Sequence, residues 1–122
     1  MTTLISHIRI KPGMEEQFEN VMREMHRRTK MHEPLNIHYD LWRGREPGQY
    51  YALLSFRNED AFWHHQNAWY HNDTARLREC FASPVDIEFV DPVMGASVLP
   101  ENDKIGREKA GLKHPESERH GY

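Results

Sequence analysis

The spacing of apolar residues changes repeatedly between Leu4 and Val90, and the order of these changes restricts the possible folds. Strands bury alternate residues, at a period of about 2, whereas helices bury one face at a period of about 3.6. Strand-like runs lie at residues 4–11 (LISHIRIK), 35–43 (LNIHYDLWR), 50–56 (YYALLSF) and 85–90 (VDIEFV). Helix-like runs lie at residues 14–29, at 58–71 (which includes AFWHHQNAWYH) and at 74–81.

The local signals at the helix ends agree with this division. The run from Met14 to Thr29 has acidic residues early and basic residues late, an order that suits the helix dipole. Pro34 then interrupts the chain. Asn58 is a good N-cap residue, and acidic residues follow it in the first turn of the second helix.

The resulting order of strand, helix, strand, strand, helix, short helix and strand is the split β-α-β motif repeated. It predicts an α+β, ferredoxin-like fold, in which one antiparallel four-stranded sheet carries helices on one face. The opposite face would still carry apolar side chains. A second copy of the chain commonly covers such a face in a small domain, so we expect a homodimer.

Composition limits the location and partners of the chain. The formal net charge of −3 gives no general attraction to nucleic acid or to anionic lipid. No apolar run approaches the roughly 20 residues that span a bilayer, and the first residues lack a signal-peptide pattern. Cys80 is the only cysteine, so an internal disulfide is excluded, and we expect a cytoplasmic protein.

The last part of the chain differs in composition from the rest. Beyond Leu99 it is rich in charged residues and has almost no large apolar ones. We therefore expect one folded domain at residues 1–96. The polar tail at 97–122 would be disordered, or would wrap around the partner subunit with Ile105 and Leu112 as anchors.

The pieces RIKPG, IHYDLWRGREPGQYYALLSFRNEDAFWHH and PVDIEFVDPV together resemble the antibiotic biosynthesis monooxygenase-like group of dimeric α+β barrels. The resemblance covers about residues 4 to 94. The pattern of the group on the second helix is an alanine and an aromatic residue followed by two histidines, here Ala61-Phe62, His65 and His71. The resemblance implies a dimeric barrel with a pocket between helices and sheet. Its members perform several reactions, so it predicts the fold better than the chemistry.

Within this group, the first expectation is a small enzyme that oxidises a phenolic or polyketide-like aromatic compound as a monooxygenase, without a cofactor. Such a site needs a base to form the substrate anion, groups that hold the anion, and aromatic walls. We predict His65 or His71 as the base, with Tyr70 and His7 as further catalytic candidates. The predicted substrate-binding residues are Arg9, Tyr51, Trp42, Phe56, Phe62 and Trp69.

Other interpretations of the same residues stay open. The barrel could bind a small molecule without catalysis, or could act by proton transfer as a cyclase, isomerase or lyase. His65 could also be a buried structural histidine. We expect no metal, because His64 and His71 would lie about 10 Å apart along a helix. Haem degradation is disfavoured, since Ser6 and His65 stand near the positions where haem-degrading members carry asparagine and tryptophan.

Overall fold

The computed structural model describes residues 1–68 and 75–95, and within them four strands and three helices follow one another in the predicted order. The strands are β1 (Thr2–Arg9), β2 (Asn36–Arg43), β3 (Gln49–Phe56) and β4 (Asp86–Phe89). The helices are α1 (Glu15–His32), α2 (Glu59–Gln66) and the short α3 (Ala75–Arg78). The predicted tail at 97–122 lies outside the described residues.

The four strands form one sheet in the order β2-β3-β1-β4. Each neighbouring pair is antiparallel, so the predicted ferredoxin-like topology is confirmed. In the central pair, Ile5 of β1 lies opposite Leu53 of β3. The pairing of β2 with β3 shifts register between Asn36 and His38, which is a β-bulge or similar irregularity near the start of β2.

Helix boundaries differ from the predicted ones for identifiable reasons. α1 continues past Thr29 to His32 and ends where Glu33 precedes Pro34, since a residue before proline is disfavoured in helical geometry. α2 begins as predicted, because the Asn58 side chain accepts a hydrogen bond from the Ala61 amide at 2.8 Å. The helix expected to run to His71 ends at Gln66. Positions 69–74 lie outside the described residues.

The core lies between one face of the sheet and the helices. Alternate residues of β1 and β3 point into it, among them Leu4 and Phe56, and α1 contributes Phe18. The Phe18 and Tyr50 rings contact each other, with centroids 4.7 Å apart. The sheet therefore presents an apolar layer to the helices, as the alternation along each strand predicts.

The opposite face of the sheet has no helix over it among the described residues, and we call it the open face. Its apolar members include Ile5 on β1 and Leu53 on β3, both half-buried. Trp42 on β2 projects from the same face and is 65% exposed. No described helix is long and apolar enough to cross a membrane.

We predict that Phe18→Ala lowers the free energy of unfolding by about 3–5 kcal/mol, because it removes a fully buried ring and leaves a cavity. Met31, on the same helix, is 60% exposed, and Met31→Ala should change the free energy by no more than about 0.5 kcal/mol. Urea denaturation of both variants beside the parent measures the difference. Equal effects of the two substitutions would contradict this core.

Candidate active site

The sheet separates the predicted site residues into two groups. Phe62 and His65 on α2 face the core, each 2% exposed, and both rings contact Phe56 of β3. These are three of the residues expected to border a pocket between helices and sheet. Their placement follows from the helical spacing of Phe62 and His65, which puts both side chains on the face of α2 that packs against the sheet.

Four other predicted residues lie on the open face instead. His7 pairs with Tyr51 across β1 and β3, and Tyr51 pairs with Trp42 across β3 and β2, so the three share one face. Arg9 lies two residues beyond His7 and is exposed on that same face. The expectation that these residues line one pocket with His65 is therefore corrected, because the sheet stands between them. Trp69, Tyr70 and His71 lie outside the described residues.

On the open face, the predicted residues make contacts of their own. The His7 ring packs edge-on against Tyr51, with centroids 5.5 Å apart, and its Nε2 lies 3.7 Å from a Glu88 carboxylate oxygen. The Tyr51 hydroxyl accepts a hydrogen bond from the Gln49 side-chain amide at 2.7 Å. Both contacts are at least partly exposed to water.

His65 is held by a residue that the sequence did not single out. Its Nδ1 lies 3.0 Å and 3.1 Å from the two carboxylate oxygens of Glu33, which caps the C-terminus of α1. Both side chains are almost completely buried, at 2% and 4% exposure. The Tyr39 ring packs edge-on against the imidazole, with centroids 5.8 Å apart. This Glu33–His65 pair is the most deeply buried ionisable contact that we find among the described residues.

Burial changes the acid–base properties of both members of the pair. It raises the pKa of Glu33 from 4.5 to about 7, against an opposing effect of the nearby His64 and His32. It lowers the pKa of His65 from 6.5 to about 3, and the charge of His64 adds to that effect. Desolvation thus disfavours charge on either group, and one proton shared between Nδ1 and the carboxylate satisfies both.

His65 lines a small cavity between the helices and the sheet. The cavity has a volume of about 30 Å³, and its walls are largely apolar. Besides His65, its polar lining includes Ser6, Tyr39 and Gln66. A space of this size holds a water molecule or two, whereas pockets for drug-sized ligands are usually about 300–1,000 Å³. A substrate would therefore bind here only if the walls moved apart.

Glu33 could have been recognised from one local signal. It stands directly before Pro34, at the C-terminal end of a strongly patterned helix. A carboxylate is disfavoured at that end by the helix dipole, so an acidic residue there suggests a specific role. Its partner could not be read from the sequence, because the contact joins two different helices.

Across residues 1–68 and 75–95, no group of three or more His, Cys, Asp or Glu side chains is arranged to hold a metal ion. The Glu33–His65 pair uses both carboxylate oxygens on the imidazole.

The fold agrees with a comparison of the sequence with family models. The family model described as antibiotic biosynthesis monooxygenase matches residues 1–77. The chain belongs to this family. The expected family membership is thus confirmed. A search of curated proteins returns no match.

Three solved structures share the fold, and the first two carry the family name. One from Caulobacter crescentus is 26% identical, covers 76% of this chain and 90% of its own, and superimposes with a TM-score of 0.71. One from Bacteroides thetaiotaomicron is 15% identical, covers 80% of this chain and 94% of its own, and superimposes with a TM-score of 0.72. A Mycobacterium tuberculosis protein is 22% identical, covers 79% of this chain and 98% of its own, and superimposes with a TM-score of 0.68. The last two likenesses concern the fold alone.

The pair makes a specific contribution to the pH dependence of stability. A raised carboxyl pKa stabilises the fold at low pH, and this stability is lost as the pH rises from 4.5 through about 7. A lowered imidazole pKa stabilises the fold at high pH, and this stability is lost as the pH falls from 6.5 through about 3. Between 4.5 and 6.5 the effects cancel, because the pair binds one proton in both the folded and the unfolded state.

We predict that Glu33→Gln removes only the carboxyl part of this behaviour. The free energy of unfolding of the parent, minus that of the variant, should fall between about pH 4.5 and about pH 8, by on the order of 3 kcal/mol. Urea denaturation at both pH values measures this difference. The same measurement on Glu16→Gln, at an exposed position of α1, controls for loss of a carboxylate. A pH-independent difference for Glu33→Gln would contradict the raised pKa.

Proposed function

We propose that this protein is a cofactor-free monooxygenase that acts on a small phenolic or polyketide-like aromatic compound. The observation that carries the proposal is the Glu33–His65 pair beside an apolar cavity. Family membership supports the reaction class. Apolar walls favour an aromatic ring and dissolved oxygen, while the pair provides a base in a site with little water.

In this proposal His65 is the general base. With Nδ1 bonded to the Glu33 carboxylate, the neutral imidazole can accept the phenolic proton of the substrate at Nε2. The phenolate then supplies the electrons that reduce dioxygen. One oxygen atom enters the ring as a quinone oxygen, and the other leaves as water with the two hydrogens that the substrate has lost. His71 and Tyr70 stay predictions as an alternative base and a hydrogen-bond donor.

The small cavity supports a second candidate from another class. With about 30 Å³ of space, the interior is nearly filled, as expected of a barrel whose described core is structural. In that case the interior would perform no chemistry: a small molecule that moved the walls apart would be bound but not turned over, and the Glu33–His65 pair would only satisfy two buried polar groups. The two candidates differ in whether His65 matters for chemistry or for stability alone.

We predict that His65→Gln lowers kcat for oxygen-dependent turnover of the best phenolic substrate by about 10²-fold to 10⁴-fold, because it removes the base. Oxygen uptake with a panel of phenols measures this effect, with His71→Gln tested alongside. His26→Gln, at an exposed position of α1, should leave kcat unchanged. Binding of phenols without turnover by the parent would favour the binding barrel, and product formation without oxygen would favour proton-transfer chemistry.

We also propose that the open face is the interface of a homodimer. Ile5 and Leu53 lie opposite each other at its centre, and the exposed Trp42 lies on the same face. Apolar side chains grouped on one flat face are typical of an association surface. Two copies packed face to face would bury both sets of these side chains and leave each Glu33–His65 pair on the outer, helical side of its own subunit.

We predict that Leu53→Glu converts the dimer to monomers, because it buries an unpaired carboxylate at the centre of this interface. Met31→Glu, on exposed α1, places the same charge on the helical side and should leave the dimer intact. Light scattering and sedimentation at matched concentrations measure the mass. A monomeric parent, or a Leu53→Glu variant that stays dimeric, would refute this interface.

A further inference from the structure

Glu33 stands between the interior of the domain and a second, solvent-facing space. That space is a cleft of about 330 Å³ between the end of α1 and the start of α2. Its lining includes Glu33 together with His32, Asn58, Asp60 and His64. We call it the α1–α2 cleft. It lies apart from the interior cavity, and no residue lines both spaces.

The Glu33–His65 contact connects these two spaces. His65 lines the interior cavity, whereas Glu33 lines the cleft. Their side chains meet at 3.0 Å and 3.1 Å through Nδ1 and the two carboxylate oxygens. A base buried this completely must dispose of the proton it accepts, and water reaches the imidazole poorly at 2% exposure. The carboxylate offers a route that leads away from the substrate side.

We propose that Glu33 is a positioning and proton-relay residue, which passes the proton of His65 to water in the α1–α2 cleft. This inference rests on the proposed role of His65 as the base. The substrate O–H bond breaks and an Nε2–H bond forms, while the Nδ1 proton moves to the Glu33 carboxylate. The carboxylic acid then releases that proton to cleft water. The imidazole is neutral again, but its proton is now on Nε2 instead of Nδ1. Return of a proton from cleft water through Glu33 to Nδ1, together with transfer of the Nε2 proton to the oxygen atom that leaves as water, resets the pair.

The groups around Glu33 suit this role. His65 faces it from α2, and His64 and His32 lie close enough to lower its pKa against the effect of burial. Asp60 lines the same cleft and is exposed, so a second carboxyl group lies in the space into which Glu33 would release its proton. The pKa of Glu33, at about 7, lets the carboxyl group both take and release a proton near neutral pH.

The test uses the full chain and the variants Glu33→Gln, Glu33→Asp and Glu16→Gln. The first readout is independent of turnover: NMR of ¹⁵N-labelled histidine reports the tautomer of His65 and the rate at which its ring N–H exchanges with solvent. We expect Glu33→Gln to slow this exchange about tenfold or more and to loosen the preference for Nδ1–H, with Glu33→Asp intermediate. Glu16→Gln should match the parent. Unchanged exchange in folded Glu33→Gln would overturn the relay.

The second readout is the pH profile of kcat for oxygen uptake. We expect Glu33→Gln to lower kcat about tenfold and to abolish the rise in rate that the parent shows through about pH 7, while Glu33→Asp restores part of both.

The two readouts separate the relay from the proposed function. Slow exchange in Glu33→Gln, with no turnover of any substrate by the parent, would keep the relay and refute the proposed function. Turnover with an unaltered profile in Glu33→Gln would refute the relay alone. If Glu33→Gln does not fold by circular dichroism, Glu33→Asp decides: exchange and profile equal to the parent's would overturn the relay.

Discussion

The contact between Glu33 and His65 determines how the helical layer can be built. A buried carboxyl group or a buried imidazole without a partner costs several kcal/mol, so each of these residues is tolerated inside the domain only because the other is present. The contact joins the C-terminus of α1 to α2 and fixes the orientation of the imidazole. Any rearrangement of the helices that separated the two side chains would leave a polar group unpaired in an apolar core.

The sheet gives the two faces of the domain different physical properties. On the helical face, burial removes water from the pair and shifts the pKa values of Glu33 and His65 in opposite directions. On the open face, His7 and Glu88 stay in contact with solvent, and apolar side chains are only half covered. These differences are the basis on which we propose acid–base chemistry on the first face and association on the second. The same alternation along β1 and β3 produces both.

Much of this arrangement could be predicted from the sequence, because it depends on local periodicity. Alternation gave the four strands, and the helical spacing of Phe62 and His65 predicted their inward orientation. The same alternation places His7 and Arg9 on the face of β1 that points away from the core residues Leu4 and Ile8. The sequence alone therefore argued against placing His7 and Arg9 in one pocket with His65. Glu33 was missed for a different reason. Its role depends on the packing of α1 against α2, and no local pattern reports a contact between residues this far apart in the chain.

The size of the interior cavity then decides what a substrate must overcome. A ring enters about 30 Å³ of space only by displacing packed side chains, so its own apolar burial must offset the contacts that are lost. The walls differ in how firmly they are held. β1 and β3 are fixed by their ladder of hydrogen bonds, whereas α3 has only four residues and cannot be stable by itself. Its position depends on the packing of Leu77, on the bridge between Phe81 and Ile10, and on a hydrogen bond that the Gln17 side chain donates to the Arg76 carbonyl at 3.0 Å. Opening the cavity on the α3 side therefore breaks fewer cooperative interactions than opening it at the sheet, and it leaves the Glu33–His65 contact in place.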